Sequence, residues 1–251
     1  MALTSARRKT KTRERSASSS SLLCMKPRAR QQSFEFTNWG GKRRGAGRKR
    51  AGPRARVSHV KRPKLAGRYP VLVTLRLRDG LRTLRTAETH ALIAGAFAAG
   101  SNGAFRVVEY SVQTNHLHFL AEASDERALS RGMNGLTTRI ARGLNRLWKR
   151  IGRVFEERYD ARILTSPRAV RNALIYTLQN ARKHGAMKAH GLDEFSSAGD
   201  FDGWKERPAK KAAGSRPRLL ERARTWLLSI GWRRHGLIEL RERPARTAIP
   251  A

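Results

Sequence analysis

"AFRVVEYSVQTNHLHFLAEA", residues 104–123, decides how this chain folds. Apolar and β-branched residues fill it, and no proline interrupts it. It reads as two strands, "AFRVVEYSVQ" and "NHLHFLAEA", joined by a short turn near Thr114-Asn115. Strand side chains alternate between the two faces of a sheet. His116 and His118 therefore point one way and Leu117 the other. Two imidazoles on one strand face are either a metal site or part of a solvated surface.

Working outward, "YPVLVTLRLRDG" alternates apolar and basic residues and ends in Asp-Gly, the pattern of a strand and turn. "LRTLRTAETHALIAGAFAAG" follows with helical spacing and a glycine stop. After the strand pair, "SDERALSRGMNGLTTRIARGLNRLWKR" has Ser124 or Asp125 as its cap. Leu129, Met133, Leu136, Ile140, Leu144 and Leu147 form its apolar stripe. The opposite face carries Arg131, Arg139, Arg142, Arg146 and Lys149. "GRVFEERYDARILT" reads as a fourth strand. "SPRAVRNALIYTLQNARKHG" reads as a helix with a Ser166 cap, Pro167 in the first turn and Gly185 at the stop.

The order β-α-β-β-α-β plus a helix predicts an α+β, ferredoxin-like (split βαβ) fold. Its antiparallel sheet would have helices on one face and leave the other face open. Residues 191–251 add a basic extension with one amphipathic helix, "PRLLERARTWLLSIGW". Its docking stripe would be Leu219, Leu220, Trp226, Leu227 and Ile230.

Charge sets the partner class. The 251 residues carry 54 Lys+Arg against 19 Asp+Glu, a formal net charge of +35. Such an excess repels itself unless a polyanion neutralises it, and each neutralised phosphate releases counterions. Residues 1–70 hold 21 of the cations and 2 of the acids. Residues 1–66 therefore read as a basic, largely disordered arm, with Arg43, Arg44 and Arg48 in its Gly-rich part. The first thirty residues also have the composition of a transit peptide, and Met25 offers an alternative start. No apolar run reaches the roughly 18 residues of a spanning helix, so no membrane role is expected. One cysteine, Cys24, excludes an internal disulfide framework and fits a reducing cytoplasm.

The His-x-His pair places two ring nitrogens side by side, about 7 Å apart at the backbone. One divalent ion fits between them but needs a third ligand. The last helix offers Asn180, four residues after Tyr176 on the same face. Gln179 and His184 are further candidates. An amide oxygen suits Mg²⁺ or Mn²⁺. Tyr176 would then lie one helical turn from a metal ligand, and attack on a metal-polarised phosphate would form a phosphotyrosine. Tyr159, in the fourth strand, is the competing nucleophile.

"YSVQTNHLHFL" followed by "RNALIYTLQNARKHG" resembles the single-tyrosine HUH transposases of the insertion-sequence-200-like kind, where HUH denotes His, a bulky apolar residue, His. The likeness is greater to REP-associated tyrosine transposases, whose nucleophile helix typically reads Tyr-Ile-x-x-Asn-Pro. Ala181 stands where that proline is common, and Thr114 where a glycine is usual. The resemblance spans roughly residues 40–245. It implies that 67–190 is the catalytic domain and 191–251 an extension. It implies His116, His118 and Asn180 as ligands of Mg²⁺ or Mn²⁺, and Tyr176 as the nucleophile. The substrate would be single-stranded, hairpin-forming DNA, held also by the arginines above. The protein would be bacterial and nucleoid-associated, a monomer or homodimer. Two other readings share the features. A non-catalytic binder would use the sheet as RNA-recognition modules do, with Tyr110 and Phe119 stacking bases. A relaxase or replication initiator would be another HUH enzyme. Relaxases usually place the tyrosine before the His pair, and many initiators carry two on the helix.

Overall fold

A computed structural model describes residues 63–183, 191–206 and 219–243. The strand pair at its centre is β2 (Phe105–Val112) and β3 (His116–Ala123), antiparallel across the Thr114-Asn115 turn. The Gln113 N–H donates to the His116 carbonyl at 2.9 Å and closes the hairpin. β1 (Val71–Arg76) pairs with the other edge of β3, and β4 (Asp160–Ile163) pairs with β1. The sheet order is β2-β3-β1-β4, every pairing antiparallel. This is the α+β, ferredoxin-like arrangement that the order of elements predicts.

Helices α1 (Ala87–Gly100) and α2 (Glu126–Leu147) cover one face. Their caps follow the sequence. Thr86 accepts from the Thr89 N–H, and the Asp125 carboxylate from the Ala128 N–H at 2.7 Å. The stripe Leu129, Met133, Leu136, Ile140 and Leu144 is fully inside. It meets Val73, Leu75, Leu117, Phe119 and Ala121 of the sheet, together with Ile93 and Phe97 of α1. Gly132 allows the close approach. A Cβ there would lie 2.2 Å from the Phe105 ring.

The second face is not open. Helix α3 (Pro167–Leu178) lays Val170, Ala173, Leu174 and Leu178 over Leu72, Val108 and Leu120. Phe201, Trp204, Leu227, Leu228, Trp232 and Ile238 extend this second core. Residues 191–206 and 219–243 thus supply a layer on the face that the order of elements leaves open. Two ion pairs anchor it. Arg85 grips the buried Asp193 with two bonds, 2.7 and 3.1 Å, beside the Val112 carbonyl. Arg171 of α3 grips Glu242 at 2.6 and 2.9 Å and also donates to the Gly236 and Leu237 carbonyls.

Several elements differ from the sequence expectation. Over the described residues 219–232 the amphipathic helix does not form as one element. Only α5 (Trp226–Ser229) and a 3₁₀ turn at Gly231–His235 are helical. Glu122 is the cause. Its buried carboxylate accepts the N–H groups of Arg224 and Thr225 and the Thr225 hydroxyl, and it pairs with Arg106 at 3.0 Å. Thr225 is held extended, so the helix cannot begin before it. Leu220 and Leu227 are buried, but Leu219, Trp226 and Ile230 are 51%, 46% and 58% exposed. The fourth strand shrinks to four residues, with Phe155 forming only an isolated bridge to Leu77. The last helix breaks at Gln179, and a short α4 (Asn180–Lys183) follows. Gly185 and most of the N-terminal arm lie outside the described residues. No helix among the described residues is long and apolar enough to cross a membrane.

Removing Glu122 leaves Arg106 buried without its partner and strands two N–H donors. Glu122→Ala is expected to lose about 3–5 kcal/mol in urea unfolding. Amide exchange should rise first in residues 224–235, and unchanged protection there would contradict this account of the layer.

Candidate active site

The site lies between the even-numbered positions of β3 and the inner side of α3. Register places Thr74 opposite His118, Arg76 opposite His116, and Ser111 on the other side of His118. The two imidazoles are neighbours, ring centres 4.6 Å apart and tilted by 78°. His118 is 3% exposed. Its Nδ1 meets the Thr74 hydroxyl at 3.0 Å. Its Nε2 meets the Tyr176 hydroxyl at 3.3 Å, with the rings edge to face at 4.9 Å. His116 Nδ1 lies 2.9 Å from Asn115 Oδ1. Strand alternation delivers the imidazoles, and the Ser166-capped helix delivers the phenol.

Asn180 lies one helical turn beyond Tyr176, just past the break. It is completely buried, and neither its amide oxygen nor its nitrogen has a hydrogen-bond partner. An unsatisfied buried amide is expensive, by about 1–3 kcal/mol, and needs a reason. Among the described residues no three His, Cys, Asp or Glu side chains cluster as a metal site. A cation at the His pair would thus draw a further donor from an amide, another oxygen or water. The orphaned Asn180 amide and the paired imidazoles fit a hard divalent ion with mixed N and O ligands. Gln179 is held differently from Asn180. Its Nε2 donates to the Glu239 carbonyl at 2.8 Å, which ties it to the C-terminal layer. His184 lies outside the described residues.

Burial also raises the Tyr176 phenol above its ordinary range, because desolvation disfavours the phenolate. The competing tyrosine belongs elsewhere. Tyr159 is 8% exposed in the α1/α2 core, across the sheet from the His pair. Tyr110 and Phe119 are also in that core. Tyr110 bonds His90 at 2.8 Å and packs on Phe97, as Phe119 does. Both rings are covered by helices, so neither forms a base-stacking platform on an open sheet. The cations Arg131, Arg139, Arg142 and Arg146 are exposed on the outer side of α2, and Lys149 is exposed just past its end. They belong to the face opposite the His pair. Arg43, Arg44 and Arg48 lie outside the described residues. Thr74, Asn115 and Arg76 were missed in the sequence. The signal was there for Thr74 and Arg76, polar residues at alternate positions of an otherwise apolar strand. Arg76 pairs with Glu156 at 3.1 Å beside His116.

No family model matches the chain, and no curated protein matches it. Five solved chains match it. One is the structure of a REP-associated tyrosine transposase bound to a REP hairpin. The match has 16% identity and a TM-score of 0.47, covering 64% of this chain and 98% of that one. The functional reading below rests on the geometry of the site.

A difference titration of the phenols by ultraviolet absorbance, wild type minus Tyr176→Phe, should show Tyr176 ionising above the ordinary phenol value of about 10. A midpoint at or below that value would contradict the burial described here.

Proposed function

We propose that this chain is a single-tyrosine HUH transposase, close to the REP-associated kind, that cleaves and rejoins single-stranded, hairpin-forming DNA. The observation that carries the reading is the contact between Tyr176 and His118 Nε2 at 3.3 Å, with the orphaned Asn180 amide one turn on. A divalent ion, Mg²⁺ or Mn²⁺, held by His116, His118 and Asn180, would act as a Lewis acid on the scissile phosphate. The hydroxyl lies beside the very nitrogen that would hold the ion. A phosphate brought there meets the phenol at close range.

The remaining steps belong to the chain's own groups. The Tyr176 oxygen attacks phosphorus and the P–O3′ bond breaks. The phenol proton goes to solvent, and the leaving 3′-oxygen takes one up. The product is a 5′-phosphotyrosine and a free 3′-hydroxyl. Attack by a 3′-hydroxyl reverses the exchange, so one phosphoester replaces another and no nucleotide triphosphate is consumed. Burial of the phenol guards against idle ionisation, and reactivity requires a positive charge at its side. The net charge of +35 supplies the affinity for a phosphate backbone. Helix α3 carries one tyrosine, which favours a single-tyrosine enzyme over initiators with two. The facing imidazole and phenol come from one chain, which favours a monomer whose site is complete in itself. The setting would be the bacterial nucleoid.

Labelled hairpin DNA incubated with Mn²⁺ should give a covalent adduct on a denaturing gel. Tyr176→Phe should abolish it, and Tyr159→Phe should leave it near the wild-type level. Asn180→Ala should move the Mn²⁺ dependence to higher concentration. Mixing Tyr176→Phe with His118→Ala should restore nothing, since each site is assembled in cis. An adduct that survives Tyr176→Phe would sink the assignment.

A further inference from the structure

Both histidines of the pair are held in the same way. Nδ1 of His118 meets Thr74 Oγ1 at 3.0 Å, and Nδ1 of His116 meets Asn115 Oδ1 at 2.9 Å. An amide oxygen only accepts, so His116 must carry its proton on Nδ1. For His118 the Tyr176 hydroxyl stands at Nε2, where it can donate. A neutral imidazole has one N–H and one lone pair, and the bond at one nitrogen fixes the role of the other. We infer that Thr74 and Asn115 are positioning residues that fix the proton of His118 and His116 at Nδ1 and present the Nε2 lone pairs to the site. The inference builds on the proposed divalent-ion site and adds the side chains that orient its imidazoles. Partners of this kind set ligand tautomer and ring direction, and their loss weakens metal affinity about ten- to hundredfold.

The two supports differ in origin. Thr74 comes from β1, the neighbouring strand, and reaches His118 through the register of the sheet. Asn115 comes from the turn that opens β3, where its own carbonyl accepts the Leu77 N–H at 2.8 Å. The turn is thereby fixed to the chain just beyond β1, and its side chain is aimed at the next residue. Sheet pairing and turn geometry thus orient adjacent ligands independently.

The test uses the full-length, metal-free protein with ¹⁵N-labelled histidine, at a pH where the imidazoles are neutral. Long-range ¹H–¹⁵N correlation spectra should show His118 and His116 as Nδ1–H tautomers. Thr74→Val keeps the shape and suits a strand, so the fold is retained. It should shift His118 toward Nε2–H and leave His116 in place. Thr74→Ser should restore the wild-type pattern, and Asn115→Ala should disturb His116 alone. Mn²⁺ binding followed by electron paramagnetic resonance should weaken about tenfold or more in Thr74→Val and recover in Thr74→Ser. An Nε2–H tautomer at His118 in the wild type would overturn the inference. So would a Thr74→Val protein with unchanged spectra, or one with a shifted tautomer and unchanged Mn²⁺ affinity. If the wild type binds no Mn²⁺, the proposed cation site fails. The hold of Thr74 on the His118 tautomer is then still decided by the metal-free spectra.

Discussion

Alternation along β3 is the constraint on which everything else depends. Leu117, Phe119, Ala121 and Ala123 enter the core beneath α1 and α2. His116, His118, Leu120 and Glu122 take the opposite face, and each has a different task. The imidazoles build the site, Leu120 packs under α3, and Glu122 captures the backbone at Arg224 and Thr225. A shift of one residue in register would turn the histidines into the α1/α2 core and Phe119 toward α3. The candidate site and much of the packing of the domain are therefore written into one eight-residue strand.

The second face also shows how polar groups are housed within an ordinary core. Apolar side chains of α3 and of the C-terminal layer seal most of it. The polar groups that remain inside are bonded to one another or to backbone. Arg85 with Asp193 and Arg106 with Glu122 satisfy their charges in pairs. Among the described residues Arg106 Nε and Thr177 Oγ1 also lack a hydrogen-bond partner, but only Asn180 is buried with both atoms of its amide unsatisfied. Such a group is tolerated where a ligand completes it, and it lies one turn from the phenol that meets His118.

Much of this was legible in the sequence, for reasons of period and punctuation. The α2 stripe, the capping residues Asp125 and Ser166, and the hairpin at Thr114-Asn115 obey short-range rules. The His pair and Tyr176 followed from spacing on elements that were themselves readable. What escaped depended on contacts distant in sequence. Nothing near Thr225 announces that a carboxylate on β3, about a hundred positions earlier, will hold it extended. Nothing in "YTLQN" says that the Gln179 amide will bond to the carbonyl of Glu239. The open second face was a failure of the same kind. The layer that closes it is mostly irregular, and the one amphipathic period it carries, in "PRLLERARTWLLSIGW", does not say which face of the sheet it covers. The α2 arginines were read correctly as a basic, exposed face, but a linear pattern does not say which side of the sheet that face takes.

Helix α3 is fastened within its body at Arg171 and at its C-cap Gln179 by residues near the end of the described chain. Arg171 grips Glu242 and two carbonyls, and Gln179 reaches the Glu239 carbonyl. The pose of Tyr176 over His118 is thus splinted by a segment some sixty residues downstream that is separate from the Thr74 and Asn115 side chains holding the imidazoles. The placement of the phenol is therefore adjustable from a distance. A small change in how residues 236–242 seat would tilt the splint and carry the Tyr176 ring with it, with no alteration among the imidazoles it faces.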